Sequence, residues 1–293
     1  MSGRLHCLNA GKADCFVIEL EENGEKTVLL IDGGSKNEPV MPLLPYLEAH
    51  SIRQIDLLAL THLHQDHQGY LGDVAAVLPV RRALLPYPPI PLTEDDLAGV
   101  VEEERRNDVA VFNRMWADLL RQGCRVETAF PLTAAPFVFG SWRLSCIFPT
   151  VKDTSPVYEA LCRMRDRSSH EAHDLYESVR LRFNGDSSIL LLEHEGKPSA
   201  LLCGDSFHTS LLRALAGRTP AVSLIKLSHH GRNDKGNLYF VRNFLQTLSP
   251  QTLVITSSRA LALQHRAEWE NICPTACLIV TGEANGAEIL PLA

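Results

Sequence analysis

Four side chains that can bind a metal ion lie within a short stretch of the sequence, directly after a segment that predicts a buried strand. The stretch reads Thr61-His62-Leu63-His64-Gln65-Asp66-His67-Gln68-Gly69 and follows the apolar strand Ile55 to Leu60. His62 and His64 point to the same side of an extended chain, so both can bind one metal through imidazole nitrogen. Asp66 and His67 lie where the chain is expected to enter a helix and can face a second metal. The alternative is a run of surface histidines on a loop, and the buried strand before it disfavours that alternative.

Two metal ions about 3.5–4 Å apart are the usual means of polarising a substrate and activating water at neutral pH. The segment therefore predicts a dinuclear, metal-dependent hydrolase whose nucleophile is a metal-bound hydroxide. His62 and His64 are expected to hold the first metal. Asp66 and His67 are expected to hold the second, and Asp66 is also expected to orient the hydroxide.

Three further motifs lie along the chain, one before this segment and two after it. Their order resembles that of the metallo-β-lactamase-fold hydrolases, whose His-x-His-x-Asp-His signature matches residues 62–67. The motifs are Ile31-Asp32-Gly33-Gly34, Cys203-Gly204-Asp205 and Ser228-His229-His230-Gly231. Taken singly, an Asp-Gly-Gly or a Gly-Asp is more often a turn. Their common order along the chain makes the resemblance specific.

The resemblance to these hydrolases implies a role for one side chain of each motif. Asp32 would support the metal-binding loop from behind, Asp205 would bridge both metals, and His230 would bind the second metal. His229 is expected to face the substrate and to stabilise negative charge on the attacked oxygen. The His229-His230 doublet leaves an exchange of these two roles open.

A narrower resemblance is to the hydrolase domain of bacterial competence proteins, the DNA-uptake channel proteins, and to the soluble relatives of that domain. It is carried by Leu8-Asn9-Ala10-Gly11-Lys12-Ala13-Asp14-Cys15, by Asn184-Gly185-Asp186-Ser187 and by the ending Thr281 to Ile289. Ala13 departs from the glycine that is usual there. The resemblance implies that Asp14 supports the centre and that Ser187 and a late histidine, His265, contact the substrate.

The third ligand of the first metal is the main departure from the family pattern. Many members have a histidine before the bridging aspartate at the position where this chain has Asn184. An amide oxygen is a weaker zinc ligand than imidazole and suits harder ions such as manganese. We therefore expect two divalent metal ions, zinc or manganese. His170 and His173 could replace Asn184, although histidines in so polar a helix are usually solvated.

Two long helical segments, at about 93–123 and 154–180, look inserted between the core strands and could cap the metal cleft. The second carries Arg163, Arg165 and Arg167. If it caps the cleft, Arg163 and its neighbours would meet an anionic substrate, because guanidinium groups bind phosphate and carboxylate in a bidentate manner. The alternative is an ordinary solvated helix face.

The segments that must position these residues fall into two similar halves. Each half predicts a β-rich opening followed by alternating strands and helices, which indicates an α/β fold of four-layer αβ/βα sandwich type. No linker divides the chain, so residues 1–293 are expected to form a single domain. The long helices are predicted from Thr93 to Gly123 and from Ser155 to Val179.

Composition limits the function without specifying it. The chain has 293 residues, with 28 Lys and Arg against 35 Asp and Glu, giving a net charge of −7. A protein of this charge is no general polyanion binder. No apolar stretch approaches the ~20 residues that a membrane span needs, and no secretory signal is visible, so we expect a cytoplasmic protein without a membrane partner. The eight cysteines fit reduced, buried thiols.

The competence-type resemblance favours a phosphodiesterase or nuclease. The negative charge argues weakly against long duplex DNA, so a short or single-stranded nucleic acid or a small phosphoester is the expected substrate. Two alternatives stay open. One is hydrolysis of a small ester, lactone or amide in the same cleft, and the other is a non-catalytic, metal-binding regulatory module. Protein partners are not predicted.

Overall fold

The computed structural model describes residues 2–37, 41–97, 103–180, 182–216, 221–232 and 245–292, and within them the strands form two seven-stranded sheets. The first sheet has the order β14-β1-β2-β3-β4-β5-β6 and the second has the order β13-β12-β11-β10-β9-β8-β7. The strands of the first sheet are β1 Ser2–Leu8, β2 Cys15–Glu22, β3 Glu25–Gly33, β4 Ile55–Ala59, β5 Val80–Leu85, β6 Arg125–Thr128 and β14 Ala287–Leu292. The strands of the second sheet are β7 Phe137–Phe139, β8 Trp142–Phe148, β9 Ile189–His194, β10 Lys197–Leu202, β11 Leu224–Lys226, β12 Thr252–Ser258 and β13 Cys277–Gly282.

The two sheets repeat one pattern of strand direction. In the first sheet β1, β2 and β3 pair antiparallel, and β3 to β6 then continue in parallel. In the second sheet β7 to β10 pair antiparallel, and β10 to β13 continue in parallel. This confirms the predicted α/β sandwich of two sheets with helices.

Helices connect the parallel strands and cover the outer faces of the sheets. The α-helices used below are α1 Leu43–Ala49, α2 Gln65–Gln68, α3 Leu71–Val77, α4 Glu94–Leu97, α5 Glu103–Arg121, α6 Pro156–Arg163, α7 Ser169–Arg180, α8 His208–Ala214 and α9 Arg259–Ile272. None of the described helices is long and apolar enough to cross a membrane.

Side-chain alternation along the strands builds the layers. Leu29 and Ile31 of β3 and Leu190 and Leu192 of β9 belong to the buried cluster between the sheets. Leu30, which points the opposite way from Leu29 and Ile31, belongs to the cluster that packs on the helices. Because successive residues of a strand face opposite sides, an apolar run of this kind predicts a sheet that is covered on both faces. The strands therefore lie in the two middle layers.

The helical segment predicted at 93–123 is not a cap. Its main helix, α5, connects the parallel neighbours β5 and β6 and packs on α3, with Phe112 and Leu119 fully buried. Parallel strands require such a crossover, so α5 belongs to the outer layer of the sandwich. The predicted start is correct, because Thr93 Oγ1 accepts a bond from Asp96 N at 3.2 Å. Residues 98–102 lie outside the described part of the chain.

The second helical segment is an insertion between β8 and β9, which are antiparallel neighbours. It contains two helices, α6 and α7, where the sequence predicted a single one. The break lies at Arg167, whose φ of −112° and ψ of 157° are extended. A new capping box begins there, because Ser168 Oγ donates to Glu171 Oε2 at 2.8 Å and Ser168 N bonds the same oxygen.

The remaining comparisons with the sequence predictions concern strand β5 and the helix predicted from Asn237 to Leu248. Strand β5 was not predicted, because Arg81 and Arg82 interrupt its apolar pattern. The guanidinium of Arg82 lies 3.0 Å from the carboxylate of Glu127 in β6. The charge of Arg82 is therefore paired within the sheet. Of the helix predicted from Asn237 to Leu248, residues 237–244 lie outside the described part of the chain, and residues 245–248 are helical as predicted.

Candidate metal centre

The metal-capable side chains meet where parallel strands of both sheets end. Asp32 ends β3, the segment from Thr61 follows β4, Asp205 follows β10, and His230 follows β11. The carboxyl ends of parallel strands are the usual place for a binding site in α/β folds, because the loops that follow them converge there.

His62 and His64 form the first donor group. His62 Nε2 lies 2.9 Å from His64 Nδ1, so the two nitrogens converge on one point. Burial lowers the pKa of both imidazoles, and the neighbouring histidines lower it further. Both rings are therefore neutral near pH 7, which is the form that binds metal. The His64 side chain also forms a hydrogen bond with the backbone of Arg180 at the end of α7.

His67, His230, Asp66 and Asp205 form the second donor group. His230 Nε2 lies 3.1 Å from Asp66 Oδ2 and 3.4 Å from Asp205 Oδ2. His67 Nε2 lies 3.3 Å from Asp205 Oδ1. Two imidazoles and two carboxylates thus present their ends to a common space, and the division of the ligands between two metals stays a prediction.

The charges of the second group are strongly coupled. Although burial by itself lowers the pKa of His230, Asp205, Asp14 and Asp66 raise it to about 9. Burial likewise raises the pKa of Asp205 by itself, but His230 and His67 hold it well below its ordinary value. A metal ion that binds these imidazoles must displace their protons, because only the neutral ring is a ligand.

The donor atoms of this group fit a divalent metal ion. His67 Nε2 and Asp205 Oδ1 are buried and lie 3.3 Å apart, and neither atom makes a hydrogen bond of good geometry among the described residues. Buried polar atoms are rarely left without a well-formed bond, and one divalent ion could bind both atoms. Asp14, His67, Asp205 and His230 offer ligand atoms within 4.8 Å of one another. Imidazole nitrogen together with carboxylate oxygen suits divalent ions of the first transition row.

Asp14 belongs to this cluster but lies behind the histidines. Its Oδ1 is 3.2 Å from His230 Nδ1, and its Oδ2 is 3.7 Å from His67 Nδ1. Asp66 and Asp205 instead face the Nε2 atoms. We assign the metal to the Nε2 side, because Asp14 is already paired with Lys226 and bonded by Thr256 Oγ1 at 2.5 Å. Asp14 therefore has the supporting position expected from the sequence.

Asp32 supports the loop that carries the first histidines. Its Oδ2 lies 2.8 Å from His67 Nδ1, and its two oxygens accept bonds from Thr61 N and Thr61 Oγ1, both at 2.8 Å. A carboxylate behind a ligating imidazole fixes the ring orientation and makes the ring a stronger donor. Asp32 has a φ of 56°, a left-handed conformation that aspartate tolerates better than most residues.

Lys226 is part of the centre that sequence reasoning missed. Its side chain is fully buried, donates to the Gly204 carbonyl at 2.8 Å, pairs with Asp14, and lies 3.6 Å from Asp205 Oδ1. Although burial by itself lowers the pKa of Lys226, Asp14 and Asp205 raise it above its ordinary value, so the amine is charged. The signal was present, because one lysine stands inside the apolar strand Leu224–Lys226. Such a residue needs a buried counter-charge.

The histidine doublet has an unusual backbone. His229 has φ 51° and ψ 50°, His230 has φ 58° and ψ 25°, and Gly231 has a φ of 76°. Left-handed residues other than glycine are costly and cluster at functional sites. The turn directs His230 into the core, while His229 stays 23% exposed with its Nε2 3.9 Å from Asp205 Oδ2. His230 is thus the buried member of the doublet and His229 the more exposed one, and the division of roles between them stays a prediction.

Asn184 and Ser187 lie on the turn between α7 and β9. Asn184 Oδ1 is buried without a hydrogen-bond partner in the described residues, so this oxygen is available to bind a metal ion. Ser187, expected at the substrate, is instead fully buried: its Oγ accepts a bond from Asp205 N at 2.9 Å and lies 3.4 Å from His62 Nδ1. Ser187 thus joins the two donor groups from behind.

Several other expected residues are not brought to the centre. Arg163 is exposed and lies 3.7 Å from Glu159 of its own helix, so it is a solvated residue of α6 and no described contact links it to the ligands. His170 is 86% exposed beside Asp174, and His173 is exposed on the same helix, so neither replaces Asn184 in this arrangement. His265 falls within α9, and its side chain lies outside the described part of the structure.

Comparison with known proteins finds one family model that matches about a third of the chain. Residues 8–106 match the family model of the metallo-beta-lactamase superfamily. Together with the two-sheet fold and the convergent donor atoms, this match supports a metal-dependent hydrolase of that superfamily. The narrower likeness to competence proteins stays a prediction. No curated protein matches the sequence of this chain.

Solved structures with a similar chain course are distant in sequence. Igni18, a metallo hydrolase from the archaeon Ignicoccus hospitalis KIN4/I, is 14% identical over 100% of this chain and 99% of its own, with a TM-score of 0.49. A diphosphatase of the PhnP family is 12% identical over 99% of this chain and 97% of its own, with a TM-score of 0.49. CmlA, a diiron beta-hydroxylase from Streptomyces venezuelae, is 12% identical over 98% of this chain and 54% of its own, with a TM-score of 0.46. This chain thus spans about half the length of CmlA, and none of these likenesses bears on the reaction.

Proposed function

We propose that the protein is a dinuclear, metal-dependent phosphodiesterase that acts on a small phosphoester or on short, single-stranded nucleic acid. The observation that carries the proposal is the presence of two convergent donor groups, one at His62 and His64 and one around His67, Asp205 and His230. Two divalent ions, zinc or manganese, would be held there, with Asn184 completing the first site. Such ions supply Lewis acidity and lower the pKa of a water molecule.

Asp66 is the residue that orients the attacking water. Its side chain is 31% exposed, whereas His230 beside it is 2% exposed, so Asp66 forms the edge of the centre that a water molecule reaches. Although burial raises its pKa, the hydrogen bond with His230 and the charge of His67 hold the pKa below its ordinary value. The carboxylate is therefore ionised and accepts a hydrogen bond from water at neutral pH.

His229 is the residue that meets the substrate oxygen. It is the more exposed member of the doublet, and its Nε2 lies 3.9 Å from Asp205 Oδ2. An imidazole N–H in this position can donate a hydrogen bond to the oxygen on which negative charge develops. His229 acts in this way on phosphoryl and carbonyl oxygens alike, so it does not itself select the substrate.

The choice of a phosphodiester rests on the competence-type motifs. They include Asn184-Gly185-Asp186-Ser187, whose Ser187 contacts both His62 and the backbone of Asp205. The net charge of −7 favours short substrates, because binding to long duplexes grows with the number of phosphates that the protein neutralises.

The test is cleavage of labelled single-stranded DNA, duplex DNA, RNA and bis(p-nitrophenyl) phosphate by the full chain with manganese or zinc added. We expect turnover of the chromogenic diester and of the single strand, and loss of both with Asp66→Ala. Asp73→Ala is the matched control, because Asp73 is an exposed carboxylate that pairs with Lys36 on the surface.

Two results would redirect the proposal. A metal-loaded protein that cleaves none of the four substrates but hydrolyses p-nitrophenyl acetate or a lactone would place it among the small-molecule hydrolases. A protein that binds metal and is silent on every substrate would favour the regulatory module, and Asp66→Ala would then change nothing beyond metal affinity.

A further inference from the structure

Lys226 is a fully buried cation that the proposed reaction does not use. Transfer of an ammonium group from water into a protein interior is costly unless the group is paired and hydrogen-bonded. Here the cost is offset by the Asp14 carboxylate, by the Gly204 carbonyl at 2.8 Å and by Asp205 Oδ1 at 3.6 Å. A methionine or leucine would fill the same volume without this cost, so the positive charge itself has a purpose.

The ammonium group of Lys226 lies beside two carboxylates, one on each side of the histidines of the second donor group. Asp14 lies behind His230, with Oδ1 3.2 Å from His230 Nδ1. Asp205 lies in front, with its oxygens 3.3 Å from His67 Nε2 and 3.4 Å from His230 Nε2. Lys226 therefore offsets the charge of one carboxylate that supports a ligand and of another that is itself a ligand.

Carboxylates crowd this part of the interior. Asp14, Asp32 and Asp205 are each at most 2% exposed, and Asp66 faces the same histidines. Without a cation these like charges repel one another at short range. A divalent ion at the ligand atoms offsets this repulsion, and so do Lys226 and the ring of His230, whose pKa these carboxylates raise to about 9. The lysine and a metal at Asp205 are thus two cations beside one carboxylate.

We propose that Lys226 is a positioning residue and a resident cation of the centre, which stabilises the folded, metal-free site and weakens binding of the metal held by His67, Asp205 and His230. The inference rests on the metal centre of the proposed function but not on the phosphodiester reaction. Its consequence is a centre that stays folded when this metal leaves, so that the metal binds and exchanges without unfolding the protein.

The test compares the full chain with Lys226→Met, which keeps the length and removes the charge. Lys36→Met is the matched control, because Lys36 is an exposed lysine that pairs with Asp73 at 2.7 Å. Each protein is stripped with a chelator, and its Tm is measured without metal and with manganese or zinc. The affinity for each metal equivalent is then measured by competition with a chromogenic chelator.

Without metal, we expect Lys226→Met to have a lower Tm than the parent. When metal is added, we expect the Tm of the variant to rise by more than that of the parent. We also expect it to bind the metal at His67, Asp205 and His230 about tenfold more tightly or more, because a nearby like charge has been removed. Lys36→Met should behave as the parent. An unchanged or weaker affinity in Lys226→Met, with an unchanged rise in Tm, would overturn the proposal.

The proposal stays testable if Lys226→Met does not fold without metal. The variant is then prepared with manganese or zinc, and the rate of metal release into excess chelator is compared with that of the parent. Slower release supports the proposal, and equal or faster release contradicts it. Failure to fold even with metal also contradicts it, because the metal should replace the missing charge. A parent that binds metal but cleaves no phosphodiester would refute the proposed function and leave this inference intact.

Discussion

His230 Nε2 lies 3.1 Å from Asp66 Oδ2, although 164 positions of sequence separate the two residues. Asp66 comes from the loop after β4 in the first sheet, and His230 comes from the turn after β11 in the second. The two residues share one donor group, whereas His62 and His64 form another. The two groups should therefore respond separately to substitution.

Removal of one histidine from each group should remove one metal equivalent at a time. His64→Ala is expected to leave the group at His67 and His230 able to bind metal, and His230→Ala is expected to leave the His62 and His64 pair, because each group keeps its own donors. The metal content of the purified proteins, measured by plasma mass spectrometry, checks this. Complete loss of both metals in either variant would show that the donors form one site.

Asp32→Asn should weaken metal binding without preventing folding. The carboxylate that fixes His67 Nδ1 at 2.8 Å is replaced by an amide, and the loss of such a partner typically costs about 10–100-fold in metal affinity. Competition with a chelator measures the change. Asp56→Asn is the control, since Asp56 accepts a bond from Val28 N at the opposite end of the neighbouring strand β4. An equal loss in both variants would contradict a specific role for Asp32.

Gly231→Ala should both destabilise the protein and disturb the second donor group. Gly231 has a φ of 76°, and an added Cβ would lie 2.8 Å from Ile255 Cγ1. Gly24→Ala is the comparison, because Gly24 has a φ of 82° with nothing near the added atom. Gly24→Ala should lower the free energy of unfolding only by the backbone cost of a left-handed residue, about 1–2 kcal/mol. Gly231→Ala should lower the free energy of unfolding by more than this. Urea unfolding and metal titration of both variants test this, and equal losses would exclude the steric part.

Asp186 should make the protein less stable as the pH rises. The side chain accepts bonds from Tyr87 OH at 2.6 Å and from Ser155 Oγ. Burial raises the pKa of Asp186 to about 6. Because the folded pKa exceeds the unfolded one, this contribution is fully present below about pH 4 and is lost as the pH rises through about 6.

The variant Asp186→Asn isolates this effect, since an amide cannot ionise. We expect the variant to approach the parent in stability at pH 4 and to exceed it at pH 8 by up to about 3 kcal/mol, the equivalent of two pKa units. Urea unfolding at the two pH values measures the difference. A stability difference between parent and variant that does not depend on pH would show that folding does not raise the pKa of Asp186.

The sequence predicted the parts of the centre that depend on local spacing. His62, His64, Asp66 and His67 could be divided between two metals because two residues of extended chain place side chains on one face and the following turn redirects them. The role of Asp32 came from the family resemblance, and its contact with His67 agrees with that role.

The parts that depend on distant contacts could not be predicted in this way. The sequence around Ser187 predicts a residue that contacts the substrate. The antiparallel pairing of β9 and β10 instead buries Ser187 against His62 and Asp205. Lys226 stands out as a charge in an apolar strand, but its counter-ion Asp14 is far away in the sequence and could not be identified from it. The crossover role of α5 became visible only from the parallel pairing of β5 and β6.

The ligands come from both halves of the sandwich, with His67 from the first sheet and Asp205 and His230 from the second. A bound ion therefore acts as a cross-link between two layers of the molecule that are otherwise joined through the apolar cluster between them. Separation of the halves would break the coordination, so a bound metal would stabilise their association by an amount set by its free concentration and its affinity. The two halves would thus associate without this metal and resist separation more strongly with it.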